Sequence, residues 1–97
     1  MDENTVRHHA EAHGRATVEG DLRTAGSDLT KDAMPAAGDV MKKMPAALSS
    51  SAVEGVSPEG DEYVVLIRYS SEDGDAVVES RWAEREGRPK IVDLKVV

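Results

Sequence analysis

Ninety-seven residues suffice for one domain over 1–97 with a single thin core, because a chain this short buries only around two-thirds of its unfolded surface. Nineteen acidic against 12 basic residues give a net charge of −7, which excludes the basic patches that nucleic-acid binding requires and reads as a solvated, mutually repelling surface rather than a cation site. The absence of Cys excludes disulfides and thiolate chemistry, and no basic-plus-apolar leader or run of ~20 apolar residues argues for a membrane, so a cytoplasmic location is expected.

Taken in chain order, the first half is Ala-rich with helix punctuation. Asn4 or Thr5 is expected to cap a helix through "VRHHAEAHGRATVE", with Gly20 just past its last turn. Asp21 is expected to cap a short helix "LRTAG", and Ser27 or Thr30 to start another that reaches Met44, with Pro35 tolerated near its first turn. Ala37, Val40, Met41 and Met44 recur there at helical spacing, the pattern of a core-facing stripe. Pro45 ends the helix, and "LSSS" reads as a connector.

From Ala52 the chain turns to β-branched alternation: "AVEGVS", "DEYVVLIRYSS", "DAVVESRWAERE" and "PKIVDLKVV" predict four strands. Helices first and strands afterwards predict an α+β fold, N-terminal helices packed on a curved four-stranded antiparallel sheet. A two-residue loop at the Asp73-Gly74 step of "EDGD" would place Tyr69 opposite Val78, Ile67 opposite Ser80 and Val65 opposite Trp82, with Arg68 against Glu79. For the closing hairpin, a two-residue loop at Glu86-Gly87 would mix apolar with charged residues. A bulge or odd-length loop around Gly87 instead pairs Trp82 with Val92, Ser80 with Leu94 and Val78 with Val96, and sets Arg81 against Asp93, Glu79 against Lys95 and Glu84 against Lys90. The inner face is then Tyr63, Val65, Ile67, Tyr69, Val78, Ser80, Trp82, Val92, Leu94 and Val96. Val64, Leu66, Val77, Ala83, Ile91 and Val97 lie outward among Arg68, Glu79, Arg81, Asp93 and Lys95. Such a half-apolar outer face predicts a homodimer, with Val64, Leu66, Arg68, Glu79, Arg81, Ile91 and Asp93 as interface.

"EGDL" at 19–22, the "MPAAL" break at 44–48 and the closing "GRPKIVDLKVV" make the chain resemble the SnoaL-like branch of the nuclear transport factor 2-like superfamily. The resemblance implies a cystatin-like curved sheet closed by helices, a pocket between them for a small apolar ligand, and a homodimer through the outer sheet face. Its members include isomerases, polyketide cyclases and binding proteins without activity.

For chemistry in such a pocket, Tyr63, Tyr69, Ser80 and Trp82 are the expected lining. Isomerase or cyclase work needs a carboxylate pointing inward, and the expected register sends Glu79 and Asp93 outward. Asp21 and Asp39 could reach in from the helices, but read better as a helix cap and a solvated residue. His9 and His13, four apart, share a helix face with no third ligand and without the His-Glu-x-x-His pattern, so no metal and no cofactor are expected, and the histidines read as surface or partly packed groups. The leading expectation is a non-catalytic, dimeric binding or scaffold domain with no assigned catalytic residue. The alternatives are a pocket enzyme of the isomerase or cyclase type and an accessory subunit that binds another protein through its sheet.

Overall fold

A computed structural model describes all residues, Met1–Val97. The chain is α+β: α1 (Glu3–Glu19), α2 (Leu22–Ser27), a 3-10 turn (Lys31–Ala33) and α3 (Met34–Lys43) precede β1 (Leu48–Glu59), β2 (Glu62–Ser71), β3 (Gly74–Arg85) and β4 (Arg88–Val96). The strands form one antiparallel sheet in the order β1-β2-β3-β4, and the three helices cover one of its faces.

The helix boundaries follow from their caps. Asp2, rather than Asn4 or Thr5, starts α1, because its carboxylate accepts the Thr5 N–H at 2.8 Å and leaves Asn4 and Thr5 inside the first turn. Gly20, with φ 76°, closes the helix. Asp21 caps α2 as expected, accepting from both the backbone and the hydroxyl of Thr24. The segment expected to run unbroken to Met44 divides into the 3-10 turn and α3, with Pro35 in the first turn of α3. Gly14 sits where α1 crosses β1: a Cβ there would lie 2.7 Å from Ser51 Oγ and 3.1 Å from its Cβ, so a larger residue would force Ser51 to give way.

β1 begins at Leu48, so "LSSS" is strand rather than connector: Ser50 pairs with Ser70 and Ser51 with Tyr69. On an edge strand, small polar residues complete the ladder without needing burial. In the β2–β3 hairpin Tyr63 faces Trp82, Val65 faces Ser80, Ile67 faces Val78 and Tyr69 faces Ala76. Each partner lies two residues from the expected one. The loop is Glu72-Asp73, neither with positive φ, whereas an Asp73-Gly74 loop of the I′ type needs positive φ at both positions. Ser71 fastens this turn, its Oγ accepting from Asp73 N at 3.1 Å and donating to the Gly74 carbonyl at 2.9 Å. A slip of two leaves every side chain on its expected face, and Arg68 meets Val77 instead of Glu79.

The closing hairpin combines the two registers that had stood as alternatives. Glu86 and Gly87 form a two-residue loop with φ 56° and 79°, so Glu84 pairs with Pro89, Ala83 with Lys90 and Trp82 with Ile91. The bulge lies further along, at Val92, after which Arg81 pairs with Asp93, Ser80 with Leu94, Glu79 with Lys95 and Val78 with Val96. Four expectations are corrected by this displacement: Trp82 pairs with Ile91 and not Val92, Ile91 is fully buried and not at the outer face, Val92 is half-exposed and not inward, and Glu84 does not meet Lys90. Ala83 is buried as well.

The core joins Val6 and Ala10 of α1, Ala33 and Val40, and Val65, Ile67, Tyr69, Val78, Trp82, Ile91 and Leu94 of the sheet. Outside, two arginine-centred clusters tie β1, β2 and β3 together: Arg68 with Glu54 (2.7 Å) and Asp75 (3.4 Å), and Arg81 with Glu59 (3.0 Å) and Glu62 (3.2 Å). Val64, Leu66 and Val77 stay half-buried between them. No helix is long and apolar enough to cross a membrane.

Candidate functional site

Between helices and sheet lies a cavity of about 330 Å³. Its floor is Ile67, Tyr69, Val78, Ser80 and Leu94; His13 and Thr17 of α1 form one wall; residues of α2 and α3 complete it. That volume is in the range of small-molecule pockets, and the predominantly apolar lining with a few convergent polar groups is their usual chemistry.

The polar focus is His13. Val6, Ala10, His13 and Thr17 recur at helical spacing on α1 and turn it toward the sheet, so His13 is only 8 % exposed. Its Nδ1–H donates to Asp28 Oδ2 at 3.0 Å. Since a carboxylate only accepts, the neutral imidazole keeps its proton on Nδ1 and presents Nε2, which has no protein partner, as a base and acceptor. The His13 and Trp82 rings lie T-shaped, their centroids 6.1 Å apart and their planes at 88°, and the Thr17 hydroxyl donates to the His13 carbonyl.

Asp28 is placed by backbone rather than by a helix. Just past α2, the chain lays Leu29 parallel to Ile91 at the edge of β4: the Ile91 N–H donates to the Asp28 carbonyl and the Thr30 N–H to the Ile91 carbonyl. This strap holds the Asp28 carboxylate 6 % exposed, where one oxygen takes His13 and the other takes Arg88 Nη2 from the start of β4. A carboxylate this buried requires both partners, and here it has them.

Tyr69 contributes the second polar group. Burial pushes its phenol above the usual range, only partly offset by the neighbouring Thr17 hydroxyl, so it remains a neutral O–H donor at physiological pH. Ser80 is already committed, its hydroxyl donating to the Val65 carbonyl at 3.2 Å and accepting from Trp82 Nε1 at 2.9 Å.

Of the four residues expected to line a pocket, Tyr69 and Ser80 do so. Trp82 lies fully buried behind His13, and Tyr63, opposite Trp82 on β2, borders a different surface cleft. Asp21 is spent on its cap, which together with the Thr24 hydroxyl holds its carboxyl below the usual range. Asp39 is exposed on α3 and borders no part of the cavity. His8 is exposed and His9 half-buried, and no three His, Cys, Asp or Glu side chains converge on one point. The buried carboxylate is Asp28, which reaches the cavity only through His13 and does not itself border it. Its partner His13 was legible as the third member of the stripe from Val6, whereas the pairing of His9 with His13 drew attention to a different face. Compared with protein-family models and with curated proteins, the chain matches none.

Proposed function

We propose that this chain is a small-molecule pocket protein that takes a compact, largely apolar molecule bearing one polar group and exchanges a proton with it through His13. The observation that carries this reading is the Asp28-held imidazole opening onto a cavity of about 330 Å³. The cavity joins a base, His13 Nε2, and a neutral donor, the Tyr69 hydroxyl, in an apolar space. These are the two groups needed to remove a proton next to a carbonyl and to stabilise the charge that forms on oxygen. Arg88 and Asp28 act through His13 as positioning residues.

A nitrobenzisoxazole probe tests the base directly. Its C–H proton passes to His13 Nε2, the ring N–O bond breaks with its electron pair on oxygen, and the cyanophenolate released is read by absorbance. His13→Gln is expected to lower the rate by about a hundredfold or more, and Asp28→Asn by at least about tenfold through the wrong tautomer. A variant lacking His13 that turns over as fast as the native chain would show that the cavity carries no base.

The architecture also supports assignment to the nuclear transport factor 2-like superfamily, through helices that precede and close a curved antiparallel sheet over a cavity. A homodimer through the outer face is part of the same reading, supported by Val64, Leu66 and Val77 left half-buried among paired charges. An acidic, cysteine-free chain suits the reducing cytoplasm.

A further inference from the structure

Besides Met1 and Val97, the large apolar side chains left exposed are Leu22 (63 %), Met34 (49 %) and Met41 (50 %). They come from the successive helices α2 and α3, and all three border the cavity that holds His13. Elsewhere the surface is strongly charged, with 31 of 97 residues ionic (19 acidic plus 12 basic), so their gathering at one opening is not the scatter of single surface aliphatics. Methionine suits such a margin, because its unbranched thioether repacks around different shapes at little cost.

The cavity is also small. Leu22, Met34 and Met41 line it and yet stay about half or more exposed, so apolar surface continues from the cavity onto the outside of the helices.

We infer that the ligand is longer than the cavity: a compact head reaches the His13 and Tyr69 end, while an unbranched apolar tail passes out between α2 and α3 and lies on Leu22, Met34 and Met41. This inference rests on the small-molecule reading above and specifies its substrate class as an amphipathic molecule, a hydroxylated or carbonyl-bearing ring or short head with an alkyl extension. Continuity between the cavity and its margin selects a ligand tail as the occupant rather than a second copy of the chain. The dimer face proposed above lies on the other side of the sheet.

Calorimetric titration with para-alkylphenols from ethyl to octyl tests it, the phenol O–H serving as donor to His13 Nε2. The shortest members stay close to the head site, and longer ones reach the margin. In the native chain, affinity is expected to keep rising beyond butyl by about two- to fourfold per methylene, fourfold being the gain for full burial. In Met34→Gln/Met41→Gln, which keeps side-chain length and helix propensity, and independently in Leu22→Gln, that rise with chain length is expected to flatten. Short phenols that bind the native chain with no gain beyond butyl would overturn the tail site and leave the pocket reading intact. Failure of every member to bind would overturn both. A fall in molecular mass on Met34→Gln/Met41→Gln, with the chain-length dependence unchanged, would assign the margin to a second copy and likewise overturn the inference.

Discussion

Keeping the Tyr69 phenol buried against the cavity has a consequence for stability as well as chemistry. The folded phenol binds its proton more tightly than the unfolded one, whose pKa lies near about 10. Its contribution is therefore fully present below about pH 10 and is lost as pH rises through the higher folded value, because the unfolded state releases its proton first. Tyr69→Phe removes this term, so the native chain's Tm is expected to fall more steeply than the variant's above about pH 10, measured by circular dichroism. Equal slopes would mean that the hydroxyl is not desolvated. At this scale the sequence was only half legible. Tyr69 and Ser80 alternate plainly on an apolar strand, and the periodicity from Val6 includes His13. Asp28 had no such signature, because a strap that docks on a strand 60 residues away is indistinguishable in sequence from a helix cap.

Among the elements, the turns decided what alternation could not. Alternation assigned the faces of β2 and β3 correctly even though the pairing slid by two, since sides repeat with that period. The slide came from Ser71, whose hydroxyl favours a turn at Glu72-Asp73 over the Asp-Gly step beside it. In the last hairpin the I′ turn and the ionic ladder imposed different registers, and the bulge at Val92 reconciles them. Glu86 bears the cost there, being the one residue other than glycine with positive φ, a conformation about 1 kcal/mol unfavourable for most side chains. Glu86→Asn restores the residue this turn prefers and is expected to raise unfolding stability by up to about 1 kcal/mol, read from the urea midpoint. A lowered midpoint would place the strain elsewhere.

For the molecule as a whole, helices covering one face of a four-stranded sheet were legible from the order of the two periodicities, and the cavity was not. Its existence depends on small residues, Ala25, Gly26, Ala37 and Gly38, lining the facing helices, and small residues look alike whether they permit close packing or leave a void. The uncovered face bears on assembly. If two copies meet there, Leu66→Asp places an unpaired charge in the contact, and sedimentation equilibrium is expected to show the mass fall from dimer to monomer. A native chain that is already monomeric at high concentration would refute the dimer. The strap at Ile91 adds a last consequence. It occupies hydrogen-bonding groups that β4 would otherwise offer to a fifth strand, while β1 at the opposite edge is broken by two register shifts and carries Pro58. Both margins are thus less open to lateral pairing than regular bare strands would be. The strap that aims Asp28 at His13 therefore also guards one point on the β4 edge of the sheet.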